Sequence, residues 1–263
     1  MPPSLSFQWL GVGGLVLSAE GQSLAIDPFF SRPRLRYLFL GLPEPNPDLV
    51  AQSLPHCDHV LVTHAHWDHV MDVPALLRNT GACAYGSANT RQLLIIHGTS
   101  DDQARLVAVG DHRSLGPFEV EVVPARHPPL PFLFGPGPLR PGLRPPLRLI
   151  DYRMDGCFGF SIRTQGLRLL VSPAHGKPAD ILFAGVPAAL RSARRLLAET
   201  QPHLVVPMHW DNLFKPLPTP PREFSPLGPP TLRNCGPLLR WQGARARFLI
   251  PDRFRVYELA ELL

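Results

Sequence analysis

At 263 residues, with 44% apolar and 18% charged side chains, the chain can bury a substantial core and is not of the disordered class. Its formal charge of +5 and pI near 9.4 come from scattered arginines without interleaved aromatics, which weighs against a nucleic-acid surface. Four separated cysteines (Cys57, Cys83, Cys157, Cys235) form no C-x-x-C pair and so give neither a zinc knuckle nor a disulfide framework.

Strands are predicted at 7–10, 14–18 and 23–26. Turns at Gly11-Val12-Gly13-Gly14 and Ala19-Glu20-Gly21 make this a meander that ends at Asp27-Pro28. No Lys or Arg precedes the apolar run 7–16 and no small-residue cleavage site follows, so no signal peptide is expected. No stretch approaches the roughly 20 apolar residues of a membrane span, and the expected setting is the cytoplasm. Residues 31–53 read as a polar, proline-punctuated connection, partly helical near its end.

The apolar run Val60-Leu61-Val62 is the next strand, and His64, His66, Asp68 and His69 follow it within six residues. Neutral imidazole and carboxylate are ligand types that zinc and similar divalent ions accept, and a tight turn after a strand lets alternate side chains converge. A helix is expected from Asp68 to Arg78, with its first turn pointing back at the strand end. A His-rich turn that binds nothing is the competing reading, and four ligand-type residues in six argue against it. His56 and His59 read as surface or hydrogen-bonded histidines.

A strand at 82–85, a helix at 90–97 and strands at 106–109 and 118–123 come next. The last runs straight into Pro124-Ala125-Arg126-His127. Residues 128–149 are rich in proline and cannot form a helix or a central strand. They are expected to be an ordered lid lined by Phe132, Leu133 and Phe134, with a disordered linker as the alternative. Strands at 158–163 and 167–172 form a hairpin, and a strand at 179–186 follows. The helix at 187–200 opens on Pro187 and sets Leu190, Leu196 and Leu197 against an arginine face. A strand at 203–208 ends in His209-Trp210-Asp211. A second proline-rich loop at 215–230 would form the other wall of a cleft, and strands at 245–249 and 253–259 close the chain. No long-period repeat is present, which excludes a solenoid.

His64-Ala65-His66-Trp67-Asp68-His69 matches the H-x-H-x-D-H signature, and by it the chain resembles the metallo-β-lactamase superfamily. The resemblance runs over nearly the whole chain. It implies an α+β fold, the four-layer αβ/βα sandwich, as one domain over 1–263. It also implies that His64, His66 and His127 hold one divalent metal and that Asp68, His69 and His209 hold a second, with Asp68 serving catalysis. Asp27 would buttress the metal loop without binding metal. Asp211 is a further candidate ligand, with a turn or capping role as its competitor. One or two zinc ions are implied, with manganese or iron as alternatives. Three protein ligands with an open position mark a catalytic site.

The resemblance breaks after the hairpin at 158–172. The superfamily usually places there an Asp that bridges two metals, where this chain reads Ser172-Pro173-Ala174-His175. Two nearby dications repel, and the bridging carboxylate offsets part of that charge. The second metal is therefore expected to be weak or absent, with Ser172 or His175 as candidate substitutes for the missing ligand.

The implied activity is hydrolysis, in which the metal makes water a nucleophile near neutral pH. Asp151-Tyr152-Arg153 and His209-Trp210-Asp211 look most similar to a branch with sugar-phosphate lactonases and phospholipase-D-like hydrolases. A lactone, ester or phosphodiester in a small, anionic molecule is therefore expected, with Arg126 and Arg153 available for its charge. A nuclease, motivated by the basic charge, and a non-catalytic metal- or ligand-binding protein, motivated by the missing Asp, are the alternatives. A di-iron oxidoreductase is disfavoured, because such members usually carry Glu where this chain has His66. Nothing in the sequence specifies an oligomeric state.

Overall fold

The computed structural model describes residues 5–127, 136–185, 190–223, 232 and 246–263. The amino-terminal meander is β1 (Ser6–Gly11), β2 (Gly14–Ala19) and β3 (Gln22–Ile26). The connection that follows carries a 3₁₀ turn at Leu35–Leu38 and then α1 (Pro47–Ser53), whose Asn46 cap accepts the Leu49 amide. Strand β4 (His59–Leu61) delivers the His-rich segment.

The single helix expected from Asp68 to Arg78 is instead two, α2 (Trp67–Val70) and α3 (Val73–Thr80). Pro74 sits in the first turn of α3, where it lacks the N–H that would continue the earlier helix and where its ring would crowd a carbonyl four residues back. The break frees Asp72 to accept the Phe30 and Ser31 amides at 2.6 and 2.8 Å.

Beyond it lie β5 (Cys83–Gly86), α4 (Ala88–Ile96), β6 (Ala104–Leu106), β7 (His112–Leu115) and β8 (Phe118–Pro124). The strand expected at 106–109 is thus β6, two residues earlier, and β7 was not foreseen. β7 alternates polar residues with one apolar end, so it carries no hydrophobic period. The carboxy-terminal half holds β9 (Phe158–Thr164), β10 (Leu167–Val171), β11 (Ile181–Gly185), α5 (Leu190–Thr200), β12 (Leu204–Met208), β13 (Arg247–Phe248) and β14 (Val256–Glu258). The expected strands at 245–249 and 253–259 are accordingly shorter.

Among the described residues two seven-stranded sheets result, ordered β14-β1-β2-β3-β4-β5-β6 and β13-β12-β11-β10-β9-β8-β7. Strict period-two alternation sorts the side chains into three separate cores. Phe7, Leu15, Leu17, Leu24, Ile26 and Leu61 of the first sheet meet Val120, Phe160, Ile162, Leu169, Phe183 and Val206 of the second. Their neighbours Leu10, Val16, Ala25 and Val60 point the other way, onto Leu76, Leu77, Leu93 and Leu94 of α3 and α4. On the far side, Leu170, Leu182 and Val205 pack with Leu196 and Leu197 of α5. The layers are helix, sheet, sheet, helix, as the resemblance implied. Each fully buried Leu, Val or Phe here contributes about 1.5–3 kcal/mol.

β3 runs parallel to β4, and β10, β11 and β12 run parallel to one another. β8 and β10 both pair antiparallel with β9 and so share a direction. The segments following β3, β4, β8, β10 and β12 carry Asp27, the His-rich turn, His127, Ser172 and His209. Of the two proline-rich loops, 128–135 and 224–230 lie outside the described residues, including Phe132, Leu133 and Phe134 of the expected lid. The described part of the first, 136–149, and the residues after it are pinned to the start of α4, where Asn89 Nδ2 donates to the Gly137 and Arg153 carbonyls at 2.9 and 2.7 Å.

Candidate metal centre

Six of the singled-out residues gather into two groups of ligand atoms. His64, His66 and His127 form one; Asp68, His69 and His209 form the other, and within each group the candidate atoms lie within 4.8 Å of one another. The rings of His64, His66 and His127 stand at 4.6–4.8 Å between centroids and close to perpendicular, so their nitrogens converge without stacking. The short span from His64 to His69 suffices because His66 caps α2 with extended backbone while Asp68 and His69 lie in its first turn.

Asp27 and Thr63 organise the first residue. Asp27 Oδ1 accepts the Thr63 amide at 2.7 Å, and Oδ2 accepts the Thr63 hydroxyl at 2.5 Å. With its proton committed to Asp27, the hydroxyl is left as an acceptor for His64 Nδ1, 2.9 Å away. That arrangement puts the ring's proton on Nδ1 and the lone pair on Nε2. Burial, reinforced by His69, His66 and His127, holds the His64 imidazole well below its ordinary pKa, so it is neutral. His64 Nε2 is buried and finds no hydrogen-bond partner among the described residues. A buried polar nitrogen without a partner costs about 1–3 kcal/mol. A divalent cation accounts for that atom, and an imidazole fixed through its other nitrogen is the usual preparation of a metal ligand. The donors present therefore fit a metal.

The second group is more highly charged. His69 Nδ1 lies 2.7 Å from Asp27 Oδ2, and its Nε2 is 3.5 Å from Asp68 Oδ2. Burial pulls the His69 pKa down, but the carboxylates of Asp27 and Asp68 outweigh it and push it up to about 10. His209 Nε2 meets Asp68 Oδ2 at 3.0 Å. Burial alone would raise the Asp68 carboxyl; His69 and the His209 hydrogen bond hold it well below the usual carboxylate range.

The remaining candidates fall outside both groups. Ser172, directly after β10, has left-handed backbone (φ 48) and donates its amide to the Phe183 carbonyl at 2.8 Å. His175 is exposed on the following loop. Both oxygens of Asp211 are engaged: Oδ1 accepts the Val12 amide at 2.7 Å and Oδ2 lies 2.9 Å from Arg32. Arg153 donates to the Pro136 carbonyl at 3.1 Å. Thr63 and Gly13 border the centre, and Arg32 and Arg253 bind Asp211 beside it; none is signalled in the sequence, since each belongs to a residue type common in strands, turns and solvated surfaces.

A family model of the metallo-beta-lactamase superfamily matches residues 14–209. The chain belongs to this superfamily. A UPF0173 metal-dependent hydrolase of Anaeromyxobacter sp. (strain K) is 36% identical over 104 residues, which are 39% of this chain and 34% of that protein. The match thus spans about a third of that relative's length. Among solved structures, Igni18, a metallo hydrolase from Ignicoccus hospitalis, superposes with a TM-score of 0.60 at 17% identity, covering 97% of this chain and 99% of that one. The isothiocyanate hydrolase from Delia radicum gut bacteria superposes with a TM-score of 0.61 at 14% identity, covering 96% and 98%. At such identities the superpositions establish a shared metallo-beta-lactamase fold. No helix among the described residues is long and apolar enough to cross a membrane.

Proposed function

We propose that this superfamily member is a metal-dependent hydrolase of a small lactone, ester or phosphodiester, with zinc as the metal that its imidazole-rich donors favour. The observation that carries this is His64, neutral, oriented through Thr63, and with a buried Nε2 that no described residue satisfies. His64, His66 and His127 would hold one cation; Asp68, His69 and His209 would hold another. Bound there, a divalent ion supplies Lewis acidity and brings the ionisation of water to near neutral pH. Asp68, ionised and hydrogen-bonded to His209 Nε2, would hold and orient a water at the site. Asp27 fixes Thr63 and His69, so the ligands are set before any metal arrives. Arg126, exposed just before His127, is available to an anionic substituent of the substrate. We assign the whole chain, 1–263, to one domain, a reading supported by the pairing of β14 with β1 in one sheet.

The absence of a carboxylate at Ser172 favours a second reading within the same chemistry, a single tightly held metal in the three-histidine group. Metal stoichiometry by mass spectrometry on chelator-free protein decides between them. Two ions per chain support the binuclear site, and one supports the mononuclear site. None, with His64→Ala indistinguishable from wild type, sinks both. Turnover of a lactone, ester or phosphodiester panel that follows metal occupancy tests the activity itself.

A further inference from the structure

Val12 and His209 both have left-handed backbone, at φ 50 and 56. For a β-branched residue this is a real outlier, costing on the order of 1–2 kcal/mol, and it persists only where the surroundings over-determine it. What holds the two is a reciprocal clasp. The His209 amide donates to the Val12 carbonyl at 2.7 Å, and the Val12 amide donates to Asp211 Oδ1 at 2.7 Å. Between them Trp210 stacks on Trp9, with centroids 4.8 Å apart, and Trp9 Nε1 donates to the same Val12 carbonyl at 3.2 Å. Every residue of His209-Trp210-Asp211 thus engages the β1–β2 turn or the strand that leads into it.

Asp211 is itself held in a buried cluster. Arg32 and Arg253 approach its Oδ2 at 2.9 and 3.3 Å. Arg32 Nη1 also donates to the Asn212 carbonyl at 3.1 Å, and Arg253 Nη1 to the carbonyls of Leu217 and Thr219. One carboxylate therefore ties together the β1–β2 turn, the connection after β3, the loop after β12 and the carboxy-terminal segment. Two guanidiniums share it, and Arg32 Nε and Arg253 Nε find no hydrogen-bond partner among the described residues. A buried cluster with surplus positive charge is a poor source of stability, since apolar replacements of such clusters are often neutral or stabilising. Its position explains it better. Gly13 of the same turn lies over the second donor group: a Cβ there would sit 3.1 Å from His69 Cε1 and 3.5 Å from Asp27 Oδ2.

We propose that Asp211, clamped by Arg32 and Arg253, is a positioning residue that locks Val12 and His209 in left-handed backbone, bringing His209 onto Asp68 and Gly13 over His69. It deepens the metal-hydrolase reading and rests on it only for what the group binds. The geometry itself is testable without metal.

The experiment is a set of imidazole ¹H–¹⁵N spectra of the full chain labelled at histidine, first metal-free and then with Zn²⁺. Asp211→Asn removes the charge. Arg253→Lys keeps the charge but gives up the fork that reaches both Asp211 and the carbonyls, and decides the matter if Asp211→Asn fails to fold. The expected result is a displaced or broadened His209 signal in Asp211→Asn, with a smaller change in the same direction in Arg253→Lys, while His64 and His66 stay at their wild-type positions. A His209 signal that overlays wild type, or all histidines moving together as from a general loosening, overturns the proposal. Zn²⁺ addition to wild type reads the other question separately: if His64 does not respond, the metal reading fails, and the metal-free comparison still decides the positioning role.

Discussion

Asp27 Oδ2 stands 2.7 Å from His69 Nδ1 while the same carboxylate receives the amide and the hydroxyl of Thr63. One side chain at the end of β3 thereby fixes ligand candidates on the neighbouring strand's turn. Asp27 adopts a left-handed φ of 46 to do so, a conformation that Asp tolerates better than most residues.

Asp27→Asn should therefore be costly. The amide group presents N–H to donors that now find an acceptor, and a buried ion pair loses one partner, which costs about 3–5 kcal/mol. Urea unfolding of the metal-free protein should show the midpoint fall with the slope unchanged. Metal affinity should drop about 10- to 100-fold, the usual effect of removing a residue that orients a ligand. Wild-type stability and wild-type metal affinity in this variant would mean that Asp27 is a bystander.

Phe183→Ala tests the layer between the sheets. Phe183 is fully buried and meets Phe7 edge-on at 5.2 Å between ring centroids. Removing it leaves a cavity with no route to collapse between two rigid sheets, so the loss should be about 3–5 kcal/mol. Because it lies in the core and not in either donor group, metal stoichiometry should be unchanged in protein that remains folded.

Ser172→Asp tests why a second metal would be weak. The position is left-handed (φ 48), which Asp accepts without added strain. An added carboxylate at this strand end would offset the repulsion between two cations. Titration with Zn²⁺ should show the second equivalent binding at least about tenfold more tightly, a change of about 1.4 kcal/mol. An unchanged second equivalent would place the weakness elsewhere.

The order of layers was legible through the family resemblance, and continuous apolar runs such as Leu15-Val16-Leu17 and Leu169-Leu170-Val171 agree with it, since they mark strands buried on both faces. The two donor groups were legible because His64, His66, Asp68 and His69 fall within one short turn, and the family pattern then pointed to His127 and His209 at other strand ends. What stayed hidden depends on contacts distant in sequence. Nothing near Asp211 announces Arg32 or Arg253, and no local signal marks Thr63 as the link between Asp27 and His64. β7 and the break between α2 and α3 were missed for a related reason. His112-Arg113-Ser114 has no hydrophobic period, and Asp72 leaves the helix to serve amides some forty residues earlier in the chain.

That break at Asp72 carries the last prediction. The Asp72 carboxylate is wholly buried and receives the Phe30 and Ser31 amides and the Ser31 hydroxyl. Burial, only partly offset by these donors, raises its pKa above the ordinary 3.8. The folded state therefore binds a proton more readily than the unfolded one. By linkage, stability falls as pH rises from about 3.8 through the raised value, and the contribution of the protonated form is lost above it. Asp72→Asn removes that slope. It should also lose about 1–3 kcal/mol at neutral pH, because an amide cannot accept all three donors. The advantage of wild type over the variant should thus be largest at acid pH and shrink as pH rises through the titration. Urea midpoints of both proteins across that range measure it. A gap that instead widens with pH would show that the amides of Phe30 and Ser31 stabilise the charged carboxylate more than burial penalises it.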